Sequence, residues 1–165
     1  MDRHIFIIGM PGSGKSTVGK ALAQKLNRPF VDADAKIAEA AGMDIPSIFS
    51  NFGEARFREL ETEVLQEFGK RSGQIIATGG GCVTRNVNYH PLHQNGKIIW
   101  IRRNIDALPT DGRPLSQSND LHTLYNQRKP MYEAFSDFAI DNDGKPPETL
   151  DKILALLEEP LRKFL

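Results

Sequence analysis

The chain has 165 residues, of which 21 are lysine or arginine and 21 are aspartate or glutamate, so its formal net charge at pH 7 is zero. This length favours one compact domain, and 39% hydrophobic with 25% charged residues is the composition of an ordinary globular protein rather than a disordered one. With no basic block and a single cysteine, Cys82, the composition argues against a nucleic-acid partner, an internal disulfide framework and a cysteine-rich zinc site.

The N-terminal residues lead directly into a short apolar run, Ile5-Phe6-Ile7-Ile8. The run is too short for a signal-peptide core or a membrane span, so we expect a cytoplasmic protein with no membrane partner. Gly9 ends the run, and a short apolar stretch bounded by glycine is typical of a strand buried on both faces.

The segment after this strand carries a phosphate-binding pattern, because residues 9–16 spell GMPGSGKS and match G-x-x-x-x-G-K-[ST] in full. Thr17 follows, and apolar residues on one face of 18–26 predict a helix directly behind the pattern. Glycines let the backbone curl so that its N–H groups point at phosphates, and the positive end of the helix adds to the attraction. We expect Lys15 to reach the β- and γ-phosphates and Ser16 to bind Mg²⁺. The pattern predicts nucleotide binding but not a particular reaction.

The second predicted strand, at 30–32, ends in two carboxylates that lie two positions apart, Asp32 and Asp34. In a strand, this spacing puts both on one face, here at the carboxyl end where ligands bind in a parallel sheet. One of them could instead cap the helix predicted over 33–42. The pair also suits a division of labour in which one carboxylate supports a metal through water and the other meets a substrate hydroxyl.

The next predicted helix, over 54–70, carries Arg58, which has Glu54 four residues before it and Glu61 three residues after it. Taken alone, this spacing favours a surface ion pair of little energetic value. The third predicted strand, at 75–78, runs into Gly79-Gly80-Gly81, for which the sequence offers no packing reason. We therefore expect the backbone to approach a ligand closely at these glycines.

The second half of the chain predicts a helix over 86–94, strands over 97–101 and 138–140, a helix over 120–136 and a closing helix with Leu150, Ile153, Leu154 and Leu157 on one face. Short strands alternating with helices predict a parallel sheet covered on both sides. Arg128 continues the apolar stripe of the 120–136 helix, and a buried anion explains a cation there better than an outward-bent side chain.

One segment, 110–119, has turn-forming residues and a single arginine, Arg113, and we expect it to be mobile. It is either a lid that closes over a phosphoryl-transfer site or an ordinary surface loop.

Together these motifs resemble the shikimate kinase family of P-loop kinases, of the nucleoside-monophosphate-kinase type. The resemblance covers nearly the whole chain and depends on the order and spacing of the motifs, since adenylate kinases and gluconate kinases do not combine all of them. The matching motifs are GMPGSGKST at 9–17, Asp32-Ala-Asp34, Ile48-Phe49, FRELE at 57–61, IIATGGG at 75–81, RPL at 113–115 and RKPMY at 128–132.

The resemblance implies an α/β fold of three layers, α/β/α, with a five-stranded parallel sheet. It implies a single P-loop kinase domain over residues 1–165, with substrate-binding helices at about 33–62 and a mobile lid at about 110–120. The implied activity is transfer of the γ-phosphoryl group of ATP to the 3-hydroxyl of shikimate in aromatic amino acid biosynthesis, by a monomer that uses Mg²⁺.

On matching positions, the resemblance also implies which residues act on the nucleotide and on the transferred group. Lys15, Asp34 and Arg113 would be catalytic, with Asp34 the best candidate to take the proton of the attacking hydroxyl. Ser16 and Asp32 would hold Mg²⁺, the latter through water. The implied nucleotide-binding residues are Gly12, Ser13, Gly14, Lys15, Ser16, Thr17 and Arg113.

The implied substrate site combines a carboxylate clamp with an apolar wall. Arg58 and Arg128 would hold the carboxylate of shikimate, because a planar guanidinium suits a carboxylate held from two directions, and Glu61 would orient Arg58. Asp34 would accept hydrogen bonds from the ring hydroxyls. The remaining contacts would come from the N–H groups of Gly80 and Gly81 and from an apolar wall of Pro11, Phe49, Phe57 and Pro114.

Two other functions stay open at this point. A P-loop kinase for another small hydroxy acid, such as gluconate, would also use two arginines to hold a carboxylate. A non-catalytic nucleotide-binding module is supported only by the lid, which is a few residues shorter than is usual in the family. The adenine contacts are also open, because Ala107-Leu108-Pro109 stands where the family commonly has an arginine.

Overall fold

The computed structural model describes residues 3–108 and 120–162, in which five parallel strands form one sheet in the order β2-β3-β1-β4-β5. β1 lies at the centre of the sheet, and its register pairs Ile7 with Ala77 on one side and Ile8 with Trp100 on the other. The bounds are β1 His4–Ile8, β2 Phe30–Asp32, β3 Ile75–Ala77, β4 Gly96–Arg102 and β5 Phe138–Asp141.

Six α-helices cover the two faces of the sheet in the described residues. α1 and α6 contribute Val18, Leu22 and Ile153 to one apolar cluster, and α3, α4 and α5 contribute to the cluster on the opposite face. The helices are α1 Lys15–Leu26, α2 Ala33–Ala41, α3 Ile45–Phe68, α4 Tyr89–Asn95, α5 Asp120–Phe135 and α6 Pro146–Arg162.

The continuous apolar run of β1 has a simple explanation in this arrangement. Ile5 and Ile7 pack in the cluster beneath α1 and α6, whereas Phe6 and Ile8 pack in the cluster beneath α3 to α5. Side chains alternate across a strand, so a stretch that is covered by apolar clusters on both faces, such as 5–8, has apolar residues at successive positions. The predicted fold class, a three-layer α/β/α arrangement with a five-stranded parallel sheet, is confirmed.

The predicted strands agree with the structure to within one residue at each end, but the prediction for α3 is wrong at its beginning. The helical segment starts at Ile45 rather than near residue 54, and Gly53 interrupts it with φ 83° and ψ 170°. The Asp44 side chain caps the first turn by accepting a hydrogen bond from the Ser47 N–H at 2.8 Å. This first half of α3 brings Phe49 to the site described below.

The predicted lid at 110–119 lies outside the described residues. Among the helices of 3–108 and 120–162, none is long and apolar enough to cross a membrane.

Candidate active site

The carboxyl ends of the central strands open into a cavity of about 430 Å³. Ligands bind at this edge in open α/β sheets, where neighbouring connections leave in opposite directions. Fifteen of the predicted site residues line the cavity: Pro11, Gly12, Gly14, Lys15, Ser16, Thr17, Asp32, Asp34, Phe49, Phe57, Arg58, Glu61, Gly80, Gly81 and Arg128.

The loop from Gly9 to Ser16 joins β1 to α1 and forms one wall of this cavity. Gly12 and Gly14 adopt φ angles of 81° and 99°, which favour glycine because a side chain would clash with the backbone. Gly14 stands at the N-cap of α1 and has no side chain to cap it. The N-cap residue therefore provides no side-chain acceptor for the N–H groups at the start of α1, and their binding of an anion stays a prediction.

Two side chains of this loop are held within it. Lys15 folds back so that its Nζ donates to the carbonyl oxygens of Gly9 and Met10, both at 2.9 Å. Ser13 is buried, its Oγ has no hydrogen-bond partner among the described residues, and its N–H donates to the Met10 carbonyl at 3.1 Å. Ser13 is not among the described residues that line the cavity, and its contact with a nucleotide stays a prediction.

The two carboxylates at the end of β2 lie in different elements, so the prediction that both extend from one strand face is wrong, and the alternative that one of them caps the next helix is confirmed for Asp32. Asp32 ends β2 and caps α2, its Oδ1 accepting from the N–H of Asp34 at 2.9 Å and of Ala35 at 3.4 Å. Asp34 lies in the first turn of α2, and its buried Oδ1 has no hydrogen-bond partner among the described residues. Both still line the cavity, because β2 ends at the same sheet edge as β1.

Burial is the main cause that raises the pKa of Asp34 above its ordinary value, and the nearby charge of Asp32 raises it further. The positive charges of Lys15 and Arg58 act in the opposite direction on the pKa. Asp34 thus interacts with a cation of the phosphate loop and with a cation of α3. A carboxylate with a raised pKa is a better proton acceptor than an ordinary aspartate.

Arg58 and Glu61 form a buried ion pair, so the prediction of a surface pair is wrong. The Arg58 Nη1 donates to Glu61 Oε1 at 3.0 Å, and its Nη2 donates to Glu54 Oε1 at 3.3 Å. Arg58 Nε and Glu61 Oε2 are buried and have no hydrogen-bond partner within the described residues. Burial raises the pKa of Glu61, and the charge of Arg58 partly offsets this effect. The pair therefore presents an N–H donor for which the described chain has no acceptor.

The triple glycine has a packing reason that the sequence analysis did not recognise. A Cβ atom at Gly79 would lie 2.9 Å from both Asp34 Oδ1 and Glu61 Oε2, and a Cβ at Gly81 would lie 2.6 Å from Arg58 Cζ. Distances below 3.0 Å do not occur for real Cβ atoms, so the glycines make room for the charged side chains themselves. We expected the backbone to approach a ligand closely at these glycines. In the structure, what it approaches closely is the side chains of the site itself.

Arg128 is buried on α5, as the apolar stripe predicted, with only 4% of its surface exposed. Within 3–108 and 120–162, no salt bridge joins it to a carboxylate. One turn further, Tyr132 donates from its hydroxyl to the Gly80 carbonyl at 2.6 Å, which ties α5 to the glycine loop. A buried guanidinium at the wall of a cavity is a binding group for an anionic ligand.

Within the described residues, the apolar part of the cavity comes from α3 and from the phosphate loop. The rings of Phe49 and Phe57, on either side of the α3 interruption at Gly53, have centroids 4.8 Å apart. Pro11 lies against Gly80, where a Cβ would approach its Cδ to 2.8 Å. The predicted wall residue Pro114 and the predicted catalytic residue Arg113 lie outside the described residues.

Gly79 of the triple glycine also lines the cavity, together with three residues that were not predicted to do so: Ile45, Thr78 and Arg103. Thr78 and Arg103 each follow directly on the last residue of a strand, β3 and β4. The rule that ligands bind at the carboxyl ends of parallel strands would have identified both. Ile45 has no such signal, because the apolar pattern predicted no helix over 43–53, although the resemblance implied substrate-binding helices at about 33–62.

The charges and donors of the cavity fit an anionic nucleotide and a hard cation. Four cations, Lys15, Arg58, Arg103 and Arg128, face three carboxylates, Asp32, Asp34 and Glu61. The hydroxyl of Ser16 and the carboxylate of Asp32 are oxygen donors beside the phosphate loop, and Mg²⁺ takes one or two protein oxygens together with substrate phosphates.

Comparison with known proteins identifies the family. The sequence model of the family described as "Shikimate kinase" matches residues 11–158. The shikimate kinase of Parasynechococcus marenigrum is 41% identical over 170 residues, which cover 97% of this chain and 88% of that protein.

Solved structures agree with this result. The shikimate kinase from Acinetobacter baumannii in complex with shikimate superposes with a TM-score of 0.88 at 32% identity, covering all of this chain and 96% of that one. The enzyme from Aquifex aeolicus gives 0.85 at 32% identity, covering 96% and 98%.

A gluconokinase from Sinorhizobium meliloti is also similar, with a TM-score of 0.58 at 17% identity, covering 97% of this chain and 95% of that one. At this identity the likeness shows a shared fold only. The sequence identities and TM-scores of the matches to shikimate kinases are much greater, and a family model matches residues 11–158; the chain therefore belongs to the shikimate kinase family.

Proposed function

We propose that this chain transfers the γ-phosphoryl group of ATP to the 3-hydroxyl of shikimate, giving shikimate 3-phosphate and ADP, with Mg²⁺ as the metal. The observation that carries the proposal is the presence of two buried arginines, Arg58 and Arg128, at the wall of the cavity that also contains the phosphate loop. A ligand that fits both halves carries a carboxylate and a hydroxyl that can reach a phosphate.

The two arginines bind the carboxylate of the acceptor. Glu61 holds Nη1 of Arg58, which leaves Nε without an acceptor in the described chain. Arg128 adds a second guanidinium from α5. Burial strengthens these interactions, because a charge-assisted hydrogen bond is stronger where water is excluded. Pro11, Phe49 and Phe57 pack against the apolar faces of the ring.

Asp34 orients the attacking hydroxyl and accepts its proton. Its Oδ1 faces no donor in the described chain, and burial raises its pKa. Phosphoryl transfer proceeds through a loose transition state that needs alignment and positive charge more than a strong base. Asp34 therefore contributes orientation as well as basicity.

Lys15 supplies positive charge to the phosphates from the other side of the cavity. Its Nζ exchanges the carbonyl oxygens of Gly9 and Met10 for phosphate oxygens, which are stronger acceptors. Ser16 and Asp32 would hold Mg²⁺, Asp32 through water, and the bound metal would neutralise part of the phosphate charge. Thr17 and the backbone at Gly12 to Gly14 complete the contacts with the nucleotide, and Arg113 adds a further cation.

The proposal extends to the organisation of the protein. Residues 1–165 form a single P-loop kinase domain with a lid at about 110–120. The protein acts as a monomer in the cytoplasm. The continuous sheet and the match of the family over 11–158 support the single domain.

A coupled ADP-release assay with Mg²⁺-ATP tests the function, comparing shikimate, quinate and gluconate with a reaction that lacks an acceptor. We expect turnover with shikimate and none above the blank with gluconate. Turnover with gluconate in place of shikimate would show that the arginine clamp was assigned to the wrong acid. Silence with every acceptor, together with measurable ATP binding, would favour a non-catalytic nucleotide-binding module.

A matched pair of variants tests the clamp in the same assay. Arg58→Lys keeps a positive charge but lacks the planar fork, and we expect the KM for shikimate to rise at least about tenfold while the KM for ATP changes little. Arg56→Lys, on the exposed face of the same helix, is the control and leaves both constants unchanged. Equal changes in both KM values would argue that Arg58 only supports the fold.

A further inference from the structure

Arg103 is a cation of the active-site cavity that the proposed function does not use. It directly follows β4 and lines the cavity together with the phosphate loop, although 91 positions separate it from Gly12. The pairing of β4 with the central strand β1 accounts for this proximity, because Trp100 is in register with Ile8. Its Nη1 donates to the Gly12 carbonyl at 3.3 Å, a long bond to a neutral acceptor.

The neighbouring Arg102, unlike Arg103, has a carboxylate partner and an aromatic ring for its guanidinium. Arg102 donates from Nε to Asp141 Oδ1 at 2.8 Å and lies over the ring of Trp100, at 5.5 Å from the centroid. Arg103 is exposed and forms no salt bridge with any residue of 3–108 or 120–162. Its five N–H donors are thus largely unused by the described chain.

Hydrogen bonds from the loop after β5 hold the backbone next to Arg103 and also hold the phosphate loop. The next residue, Asn104, donates its N–H to Asp143 Oδ1 at 2.6 Å. Asn142 donates from Nδ2 to the Ser13 carbonyl at 2.8 Å and accepts from Thr149 Oγ1 at 2.6 Å. The loop after β5 is therefore linked both to the residue after Arg103 and to the phosphate loop, so the guanidinium extends from an anchored segment.

We propose that Arg103 is a nucleotide-binding residue, which donates hydrogen bonds to the phosphate chain of ATP and ADP from the β4 side of the loop. A phosphate oxygen is a stronger acceptor than the Gly12 carbonyl, and the guanidinium fork matches its geometry. This proposal adds a residue to the proposed function and depends on one part of it, which is that the chain binds a nucleotide. It requires no particular acceptor.

Calorimetric binding of ADP, in the presence of MgCl₂ and without any acceptor, tests the proposal. We expect Arg103→Ala to weaken ADP binding about tenfold, the value of one hydrogen bond to a charged group, and Arg103→Lys to weaken it less. Arg56→Ala removes an exposed arginine on α3, far along the chain from the loop, and leaves ADP affinity unchanged. Because Arg103 and Arg56 are both exposed, all three variants should melt close to the wild-type temperature.

Inorganic triphosphate is the second probe, because it has the phosphates without the base. Weaker binding of both ADP and triphosphate by Arg103→Ala supports the phosphate contact. Weaker binding of ADP alone overturns it, since the arginine then contacts the nucleoside. Unchanged ADP affinity in Arg103→Ala overturns the proposal and leaves the proposed function intact, whereas a wild-type protein that binds no ADP overturns both.

Discussion

The nucleotide side and the acceptor side of the cavity are built in different ways. The main part of the nucleotide side is one continuous stretch, residues 9–17, which presents its backbone together with the exposed side chains of Ser16 and Thr17. The acceptor side combines Asp34, Arg58, Glu61 and Arg128 from three helices, and the last three are buried. The first can be recognised as a motif, whereas the second exists only when distant segments meet.

The two sides of the cavity also differ in the free energy that it costs to form them. The backbone N–H groups at a helix N-terminus are oriented toward a ligand by the formation of the helix itself, with no additional loss of free energy from burying a charge. A buried charge loses its hydration and is stable only when a partner compensates it. We therefore expect substitutions on the acceptor side to change both catalysis and stability.

The largest effect is expected from Asp34→Asn. Loss of the proton acceptor should lower kcat by about 10²–10⁴-fold, the usual value of general base catalysis. ADP affinity should stay within about twofold, because none of the described hydrogen bonds joins the Asp34 side chain to the phosphate loop. Steady-state kinetics and ADP calorimetry measure the two quantities. A parallel loss of both would mean that the two sides of the cavity are not separable.

The second experiment compares two ion pairs on α3 that have the same spacing and the same N–O distance of 3.0 Å. The Arg58–Glu61 side chains are 9% and 1% exposed, whereas those of Arg56 and Glu59 are 46% and 58% exposed. We expect Arg58→Ala to lower the free energy of unfolding by about 3–5 kcal/mol, because it leaves Glu61 buried without its partner. Arg56→Ala should cost about 0–1 kcal/mol.

Urea unfolding of the wild type and the two variants measures these free energies. A double variant, Arg58→Met with Glu61→Gln, should recover part of the loss because no uncompensated charge remains. Equal destabilisation by Arg56→Ala and Arg58→Ala would contradict the role of burial.

A smaller effect concerns the pH dependence of stability. The pKa of Asp34 is raised in the folded protein, so between its ordinary value of 3.8 and the raised value the folded state binds more protons than the unfolded state. The contribution of Asp34 to stability therefore falls as the pH rises through this window. Asn at position 34 removes this penalty. The free energy of unfolding of Asp34→Asn, relative to wild type, should increase from pH 4 to pH 7, and urea unfolding at both pH values checks it.

The smallest effect is expected from Tyr132→Phe. This change removes the hydrogen bond to the Gly80 carbonyl and should lower the free energy of unfolding by about 1 kcal/mol. Because Gly80 is a predicted substrate contact, the KM for shikimate should rise a few-fold, while ADP affinity stays the same. Tyr125→Phe on the same helix is the control, since Tyr125 has no hydrogen bond to any described residue.

Several predictions from the sequence failed for one physical reason, which is that burial is not a local property. The spacing around Arg58 is compatible with an exposed and with a buried pair, and only the packing of α3 against the glycine loop decides between them. The same holds for Gly79 and Gly81, whose missing side chains leave room for Asp34, Glu61 and Arg58. The first half of α3 was missed for a separate and local reason, which is that Gly53 separates it from the stronger apolar pattern.

The sequence alone determined the features that depend on neighbouring residues. The five strands, the order of helices and strands, and the phosphate loop follow from apolar runs, helix periodicity and glycine positions, which act within a few residues. The tertiary structure decided which charges are buried and which cation is available. Arg58, Arg103 and Arg128 are chemically identical in the sequence, and they differ because sheet order and helix packing give each a different neighbour and a different access to water.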